Sequence, residues 1–270
     1  MRESLDKLLD IAKQAAQMAA AVHHSSKRDE FRVRTKSSAI DLVTEIDQES
    51  ERQIVSVIRA ARPEDAIVGE EGTNIAGSTG ICWIIDPLDG TTNFVHKYPV
   101  YAAAIGVEID GKRVLGVVHD TFHNRVYEGI VGVGAQCDGE PITVRGEVEL
   151  SRALIGTGFL PNAEVRRVQA EVLGSVLPLV RDVRRSGCPS LDLCGVASGV
   201  LDGFYESGLG RGDIAAGAAI AEAAGATVIE LHSPTLPNPL LVVANAKLLE
   251  RLVATLVRAG AATDSRTNTT

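Results

Sequence analysis

Residues 83–94 read W-I-I-D-P-L-D-G-T-T-N-F. An apolar run, Trp83-Ile84-Ile85, drops into two acids, a proline, a glycine and two threonines. Two readings are open. Asp, Pro and Gly are ordinary turn formers, so a buried strand followed by a tight turn accounts for the composition. Alternatively, Asp86 and Asp89 hold a metal ion, since Mg²⁺ takes oxygen ligands in octahedral array, commonly a few carboxylates with water and substrate phosphate. In that reading Pro87 stiffens the turn, the Leu88 carbonyl points at the same ion, and Gly90 lets the backbone swing so that Thr91 faces the site. D-P-L-D-G standing alone does not choose between them.

Other acids stand in comparable places. I-V-G-E-E (67–71) ends an apolar run on Glu70, and G-D-I-A-A-G (212–217) sets Asp213 before a small-residue segment. A charge beside a core is costly unless it is paired or bound to metal. Repeated acids at the ends of apolar runs therefore favour a shared cation.

The rest of the chain sets the frame. Its 270 residues are 45% hydrophobic and 23% charged, the balance of a soluble globular protein. A formal charge of −8 argues against nucleic acid as the main partner. Cys82, Cys137, Cys188 and Cys194 show no C-x-x-C spacing and read as reduced thiols, which points to the cytoplasm. The N-terminal apolar residues Leu5, Leu8, Leu9, Ala12, Ala15, Ala16 and Ala19 recur at helical spacing with acids among them, unlike a signal peptide. No apolar run has the length of a membrane span.

A short strand is expected within FRVRTKSS (31–38), and a helix from a Thr44 cap to about Arg59. Residues 100–130 read as a β-meander with a hairpin at Asp110-Gly111. From residue 153 strands and helices alternate. Antiparallel strands with helices on either side predict a layered α+β architecture. The whole is expected to be one domain over 1–260, with an α+β half at about 1–145 and an α/β half at about 146–260. The polar residues 261–270 are expected to be a disordered tail. His119 and His123 have the spacing of a helical zinc pair but lie in a strand–turn–strand pattern, so they read as structural. The basic residues Arg166, Arg167, Arg181, Arg184 and Arg185 read as a solvated face, with Arg184 and Arg185 just ahead of Gly187-Cys188-Pro189.

Taken together, I-V-G-E-E, W-I-I-D-P-L-D-G-T-T-N-F and G-D-I-A-A-G resemble the inositol monophosphatase family of Mg²⁺-dependent, lithium-sensitive phosphatases. K-S-S-A-I-D-L-V-T-E-I-D (36–47) does so too, with Lys36, Asp41, Thr44 and Asp47 at the family's positions. The resemblance implies a layered αβαβα sandwich, a homodimer and two to three Mg²⁺ ions. It implies that Glu70, Asp86 and the Leu88 carbonyl bind a first ion, that Asp86, Asp89 and Asp213 bind a second, and that Glu70 with waters binds a third. Thr91 with Asp47 would orient and deprotonate the attacking water. Backbone amides of Gly90 and Thr91 would bind phosphate, as helix N-termini favour. Glu206 would accept a hydrogen bond from a substrate hydroxyl, Gly187 and Cys188 would lie on the substrate-facing loop, and Lys36 would belong to the site.

Two departures from the family pattern bear on the substrate. Gly212 stands where a Trp is common, which would loosen the loop presenting Asp213, and Cys188-Pro189 replaces a hydroxyl and a small residue. The implied activity is hydrolysis of a small phosphorylated polyol, myo-inositol 1-phosphate first. Fructose 1,6-bisphosphate, histidinol phosphate and 3′-phosphonucleotides are alternatives, as is a largely non-catalytic binding role.

Overall fold

A computed structural model of the chain describes residues 2–26, 33–35 and 42–263. Lys36, Asp41, the Thr44 side chain and residues 264–270 lie outside the described residues. The helices are α1 (Arg2–Ser25), α2 (Glu45–Ala61), α3 (Thr91–Val95), α4 (Ala163–Val176), α5 (Pro189–Ala197), α6 (Arg211–Ala223) and α7 (Ala246–Arg258). The first ten strands are β1 (Val33–Thr35), β2 (Leu42–Thr44), β3 (Ala66–Gly69), β4 (Asn74–Ile75), β5 (Ile81–Asp89), β6 (Ala102–Ile109), β7 (Lys112–Asp120), β8 (Arg125–Ile130), β9 (Gly134–Cys137) and β10 (Glu140–Ile142). The last five are β11 (Leu154–Thr157), β12 (Asp182–Arg184), β13 (Gly203–Ser207), β14 (Thr227–Leu231) and β15 (Leu240–Ala244).

β1 and β2 pair with each other. An eight-stranded sheet has the order β10-β9-β8-β7-β6-β5-β3-β4, and a five-stranded sheet has the order β12-β11-β13-β15-β14. The large sheet is antiparallel except for β3 beside β5. In the small sheet β12, β11 and β13 run parallel. α1 and α2 cover one face of the large sheet, α5 and α6 lie between the sheets, and α4 and α7 close the far side. The expected αβαβα layering is the arrangement found. No helix among the described residues is long and apolar enough to cross a membrane.

The two-residue period of β-strands explains why the large sheet accepts helices on both faces. Trp83, Ile85, Ile105, Val107, Leu115 and Val117 point to α1 and α2, where they meet Leu8, Ala12, Ile54 and Ile58. Most of the intervening positions are small. Ala102, Ala104 and Val118 join the cluster containing Ile214, Ala216 and Ile220 of α6. Glycines at 106 and 116 bring the α6 backbone close to the sheet. A Cβ on Gly106 would lie 2.6 Å from the Ala215 Cβ, and one on Gly116 would lie 2.1 Å from the Ala216 carbonyl oxygen.

β5 runs further than its apolar residues predict, continuing through the acids to Asp89. Asp86 pairs with Ala104 and Asp89 with Ala102, so three steps on β5 face two on β6. The extra residue is a β-bulge, which lets Pro87 sit in a strand without an N–H to donate.

Gly116→Ala must drive α6 away from the sheet, because the obstructing atom is backbone. Urea denaturation should show a loss of about 2–3 kcal/mol, the scale of overpacking a closed core. Unchanged stability would mean that the approach of α6 is not fixed at this glycine.

Candidate active site

Glu70, Asp86 and Asp213 come from three different elements, yet one oxygen of each lies within 4.8 Å of the others. Glu70 follows β3, and its N–H donates to the Ile85 carbonyl (3.2 Å), fixing it beside β5. The turn that carries it is held by Glu51 of α2, which accepts from the N–H groups of Glu71 (2.8 Å) and Thr73 (2.9 Å). Asp86 shares the α6-facing side of β5 with Ile84. Asp213 lies in the first turn of α6, where its Oδ2 accepts from the Gly210 N–H (2.7 Å).

Asp86 is 1% exposed. Its Oδ1 accepts from the Leu88 N–H (3.1 Å), while its Oδ2 is buried with no donor on it. Burial first, then the charges of Glu70, Asp89 and Asp213, push its carboxyl well above the usual carboxylate range. A donor set made only of oxygens, with a buried acceptor left over, fits a hard divalent cation such as Mg²⁺.

Asp89 does not join this trio. The bulge turns its carboxylate toward α5, where Oδ2 accepts from the Ser190 N–H (2.7 Å) and the Cys188 thiol (3.1 Å). Burial pushes Asp89 up to about 6, against the lowering effect of those two donors.

The Thr91 hydroxyl lies 2.9 Å from Asp47 Oδ1 and 3.0 Å from the Leu88 carbonyl oxygen. Asp47 sits buried in the first turn of α2. Gly90 precedes α3 with φ 89°, and a Cβ there would also meet the Val100 carbonyl at 2.9 Å, so the position requires glycine.

One expectation about the departures is corrected, and the other takes a more definite form. The Cys188 side chain is fully buried, and its thiol donates to Asp89. Asp213 is not presented by a loop that Gly212 loosens, because α6 begins at Arg211. Gly212 instead lies against β5, where an added Cβ would come 3.4 Å from the Asp86 Cβ.

Glu206 lies buried on β13. Desolvation first, then Asp213 and Asp192, push it well above the usual range, while Arg185 pulls the other way. Gly187, with φ 85°, sits ahead of α5 in the turn that also holds Ser186 and Cys188. His119 and His123 make separate contacts, with Asn124 and Asp120, consistent with structural roles.

Sequence reasoning missed the groups that hold this region: the Glu51 carboxylate behind the turn of Glu70, the Ser190 N–H behind Asp89 and the His23 imidazole behind the Pro87 carbonyl. Glu51 alone left a signal. It falls four residues after Asp47, in line with Ile54 and Ile58, so two acids occupy the buried stripe of a helix.

The sequence profile described as "Inositol monophosphatase family" matches residues 4–261. The chain is 44% identical to inositol-1-monophosphatase SuhB of Mycobacterium tuberculosis (strain ATCC 25618 / H37Rv), over 84% of this chain and 81% of that protein. It is 36% identical to Nus factor SuhB of Pseudomonas aeruginosa, over 93% and 96%. Among solved structures, Staphylococcal IMPase - I complexed with products superposes with a TM-score of 0.81 at 26% identity, covering 98% of this chain and all of that one.

The raised carboxyls predict a pH-dependent response to cations. Asp89 titrates at about 6 instead of the ordinary 3.8, so its contribution to stability is present in acid and is lost as pH rises through about 6. A bound cation favours the ionised forms and reverses that loss. The rise in Tm on adding Mg²⁺ should be small at about pH 5 and several degrees larger at about pH 7.5. Equal shifts at both would show that these carboxyls do not titrate against the cation.

Proposed function

The chain belongs to the inositol monophosphatase family and is a phosphoric monoester hydrolase, and from that premise we propose that it releases phosphate from a small phosphorylated polyol, myo-inositol 1-phosphate first. The observation that carries the cation requirement is Asp86, buried with Oδ2 lacking a donor beside Glu70 and Asp213. Glu70, Asp86 and Asp213 would hold Mg²⁺, with the Leu88 carbonyl and the remaining oxygen of Asp89 completing the set. Bound Mg²⁺ supplies charge neutralisation at the phosphoryl oxygens and acidifies water.

The chain's own groups account for the proton. Thr91 can donate its one hydroxyl hydrogen to Asp47 while a lone pair accepts from the attacking water. As the water oxygen bonds to phosphorus, its proton passes to Thr91 Oγ1 and that of Thr91 to Asp47. The bond from phosphorus to the leaving oxygen breaks, and solvent returns a proton to that oxygen. The N–H groups of Gly90 and Thr91 would hold the phosphate. Glu206 would meet a hydroxyl of the leaving alcohol, and its burial suits it to a hydrogen bond with a neutral partner. In the same proposal lithium inhibits the enzyme, and the protein acts in the cytoplasm as a homodimer.

Relatives named Nus factor SuhB favour a second, compatible reading in which the folded protein also serves as a binding factor. The net charge of −8 directs that reading to a protein partner rather than to bare nucleic acid.

Phosphate release with Mg²⁺ should be fastest on myo-inositol 1-phosphate among a panel that includes fructose 1,6-bisphosphate, histidinol phosphate and a 3′-phosphonucleotide. Thr91→Ala should lower kcat by about 10²–10⁴-fold, the worth of a positioned proton acceptor. Asp86→Asn should lose both turnover and Mg²⁺ binding. Failure of the wild type on the whole panel would overturn the substrate class, and Mg²⁺ binding by Asp86→Asn equal to wild type would overturn the metal site.

A further inference from the structure

We propose that His23, at the C-terminal end of α1, is a positioning residue for Asp86 and acts through a single peptide unit. His23 is 1% exposed and far in sequence from every acid of the site. Its Nε2 lies 2.9 Å from the Pro87 carbonyl oxygen, and its Nδ1 lies 3.0 Å from the Thr121 hydroxyl. A carbonyl can only accept, so Nε2 carries the hydrogen. In the neutral ring Nδ1 then accepts from Thr121.

The Pro87 carbonyl and the Leu88 N–H are the two edges of one trans peptide and point in opposite directions. His23 holds the carbonyl edge from behind. The N–H edge faces forward and donates to Asp86 Oδ1 (3.1 Å). With Oδ1 fixed there, Oδ2 is left in the acid cluster without a donor. Rotation of this peptide plane would release Oδ1 and re-aim both oxygens. It would also move the Leu88 carbonyl, 3.0 Å from the Thr91 hydroxyl.

The surroundings leave the imidazole little freedom. Leu88, Phe94 and Tyr101 form a small buried cluster beneath the turn, with the two rings edge-to-face at 5.2 Å. His23 packs on the same rings, at 6.0 Å from Phe94 and 6.3 Å from Tyr101. His24 contacts the Thr121 carbonyl oxygen at 3.0 Å, so consecutive histidines tie the end of α1 to the turn after β7. Without His23 the Pro87 carbonyl would face this apolar cluster with its acceptor unmet, and a turn of the peptide plane would relieve that cost.

The inference rests on Asp86 as a cation ligand, and the test separates the two. Mn²⁺ binding to the cation-free full-length protein would be measured by calorimetry, together with Tm. His23→Ala should weaken Mn²⁺ about ten- to a hundredfold, the range found for groups that orient a metal ligand. His23→Gln, which can still present an N–H to the Pro87 carbonyl, should recover most of that loss. Thr121→Val, a milder change that leaves the imidazole in place but without its Nδ1 partner, should weaken Mn²⁺ several-fold, the scale of one lost hydrogen bond. It supplies the answer if His23→Ala does not fold. A lowered Tm with Mn²⁺ affinity unchanged in His23→Ala, or unchanged affinity in Thr121→Val where only that variant folds, would overturn the positioning role. Asp86→Asn is the control: if it binds Mn²⁺ as wild type does, the metal reading itself fails, whatever His23 does.

Discussion

Mutual repulsion among clustered carboxylates, with Asp86 and Asp89 buried, Asp213 half-buried and Glu70 exposed, is the constraint around which this molecule is organised. Glu70, Asp86 and Asp213 present oxygens within 4.8 Å of one another, and Asp89 adds a fourth charge felt by Asp86. No arrangement of acids alone makes this favourable, since like charges and burial both oppose ionisation. The rest of the fold must therefore hold each carboxylate where it would not otherwise stay. Each has a dedicated backbone donor: Leu88 for Asp86, Ser190 for Asp89 and Gly210 for Asp213. Glu70 is placed through the turn that Glu51 secures.

That arrangement depends on the contrast between the two faces of the large sheet. The α1/α2 face carries the bulky residues and supplies most of the apolar burial on that side. The opposite face is mostly alanine and glycine around α6, with Val118 among them, and α6 answers with G-D-I-A-A-G-A-A. Small residues on both sides let the first turn of α6 reach β5, and with it Asp213 reaches Asp86. Gly212 belongs to the same logic. A Cβ there would make ordinary contact with the Asp86 Cβ at 3.4 Å and the Ile85 carbonyl oxygen at 3.5 Å, so the position lies against β5 in the first turn of α6 rather than in a loosened loop.

Sequence reading recovered what is local and periodic. The strands, most helices and the acids at strand ends follow from hydrophobic alternation and from the cost of placing charge beside a core. What it lost is direction. Asp89 was grouped with Asp86 by spacing, but a one-residue bulge sends it to Cys188 and Ser190, more than ninety residues away in sequence. Resemblance puts Cys188 on a substrate-facing loop, while its buried thiol donates to that same Asp89. His23 left no trace, because a histidine near the end of an amphipathic helix looks like any other until Pro87 and Thr121 are brought to it. Glu51 was legible in principle, since its i, i+4 relation to Asp47 puts an acid into the buried stripe.

The site also divides chemically along the layers of the fold. The residues proposed to hold Mg²⁺ and to move the proton come from β5, from the turn after β3, from α2 and α3 and from the start of α6. Glu206, proposed to meet the leaving alcohol, stands on the five-stranded sheet, with Arg185 acting on it from the segment just before α5. Asp89 is bonded across the boundary, through Cys188 and Ser190, and Asn93 of α3 also crosses it by donating to the Ser186 carbonyl at 2.9 Å. A change of leaving-group contacts on the small-sheet side reaches the acid cluster through the charge between Glu206 and Asp213 and through the grip of the α5 N-terminus on Asp89. Cys188 thus bears on this division as one of the donors that join the two sides, and a replacement there that cannot donate leaves Asp89 Oδ2 to Ser190.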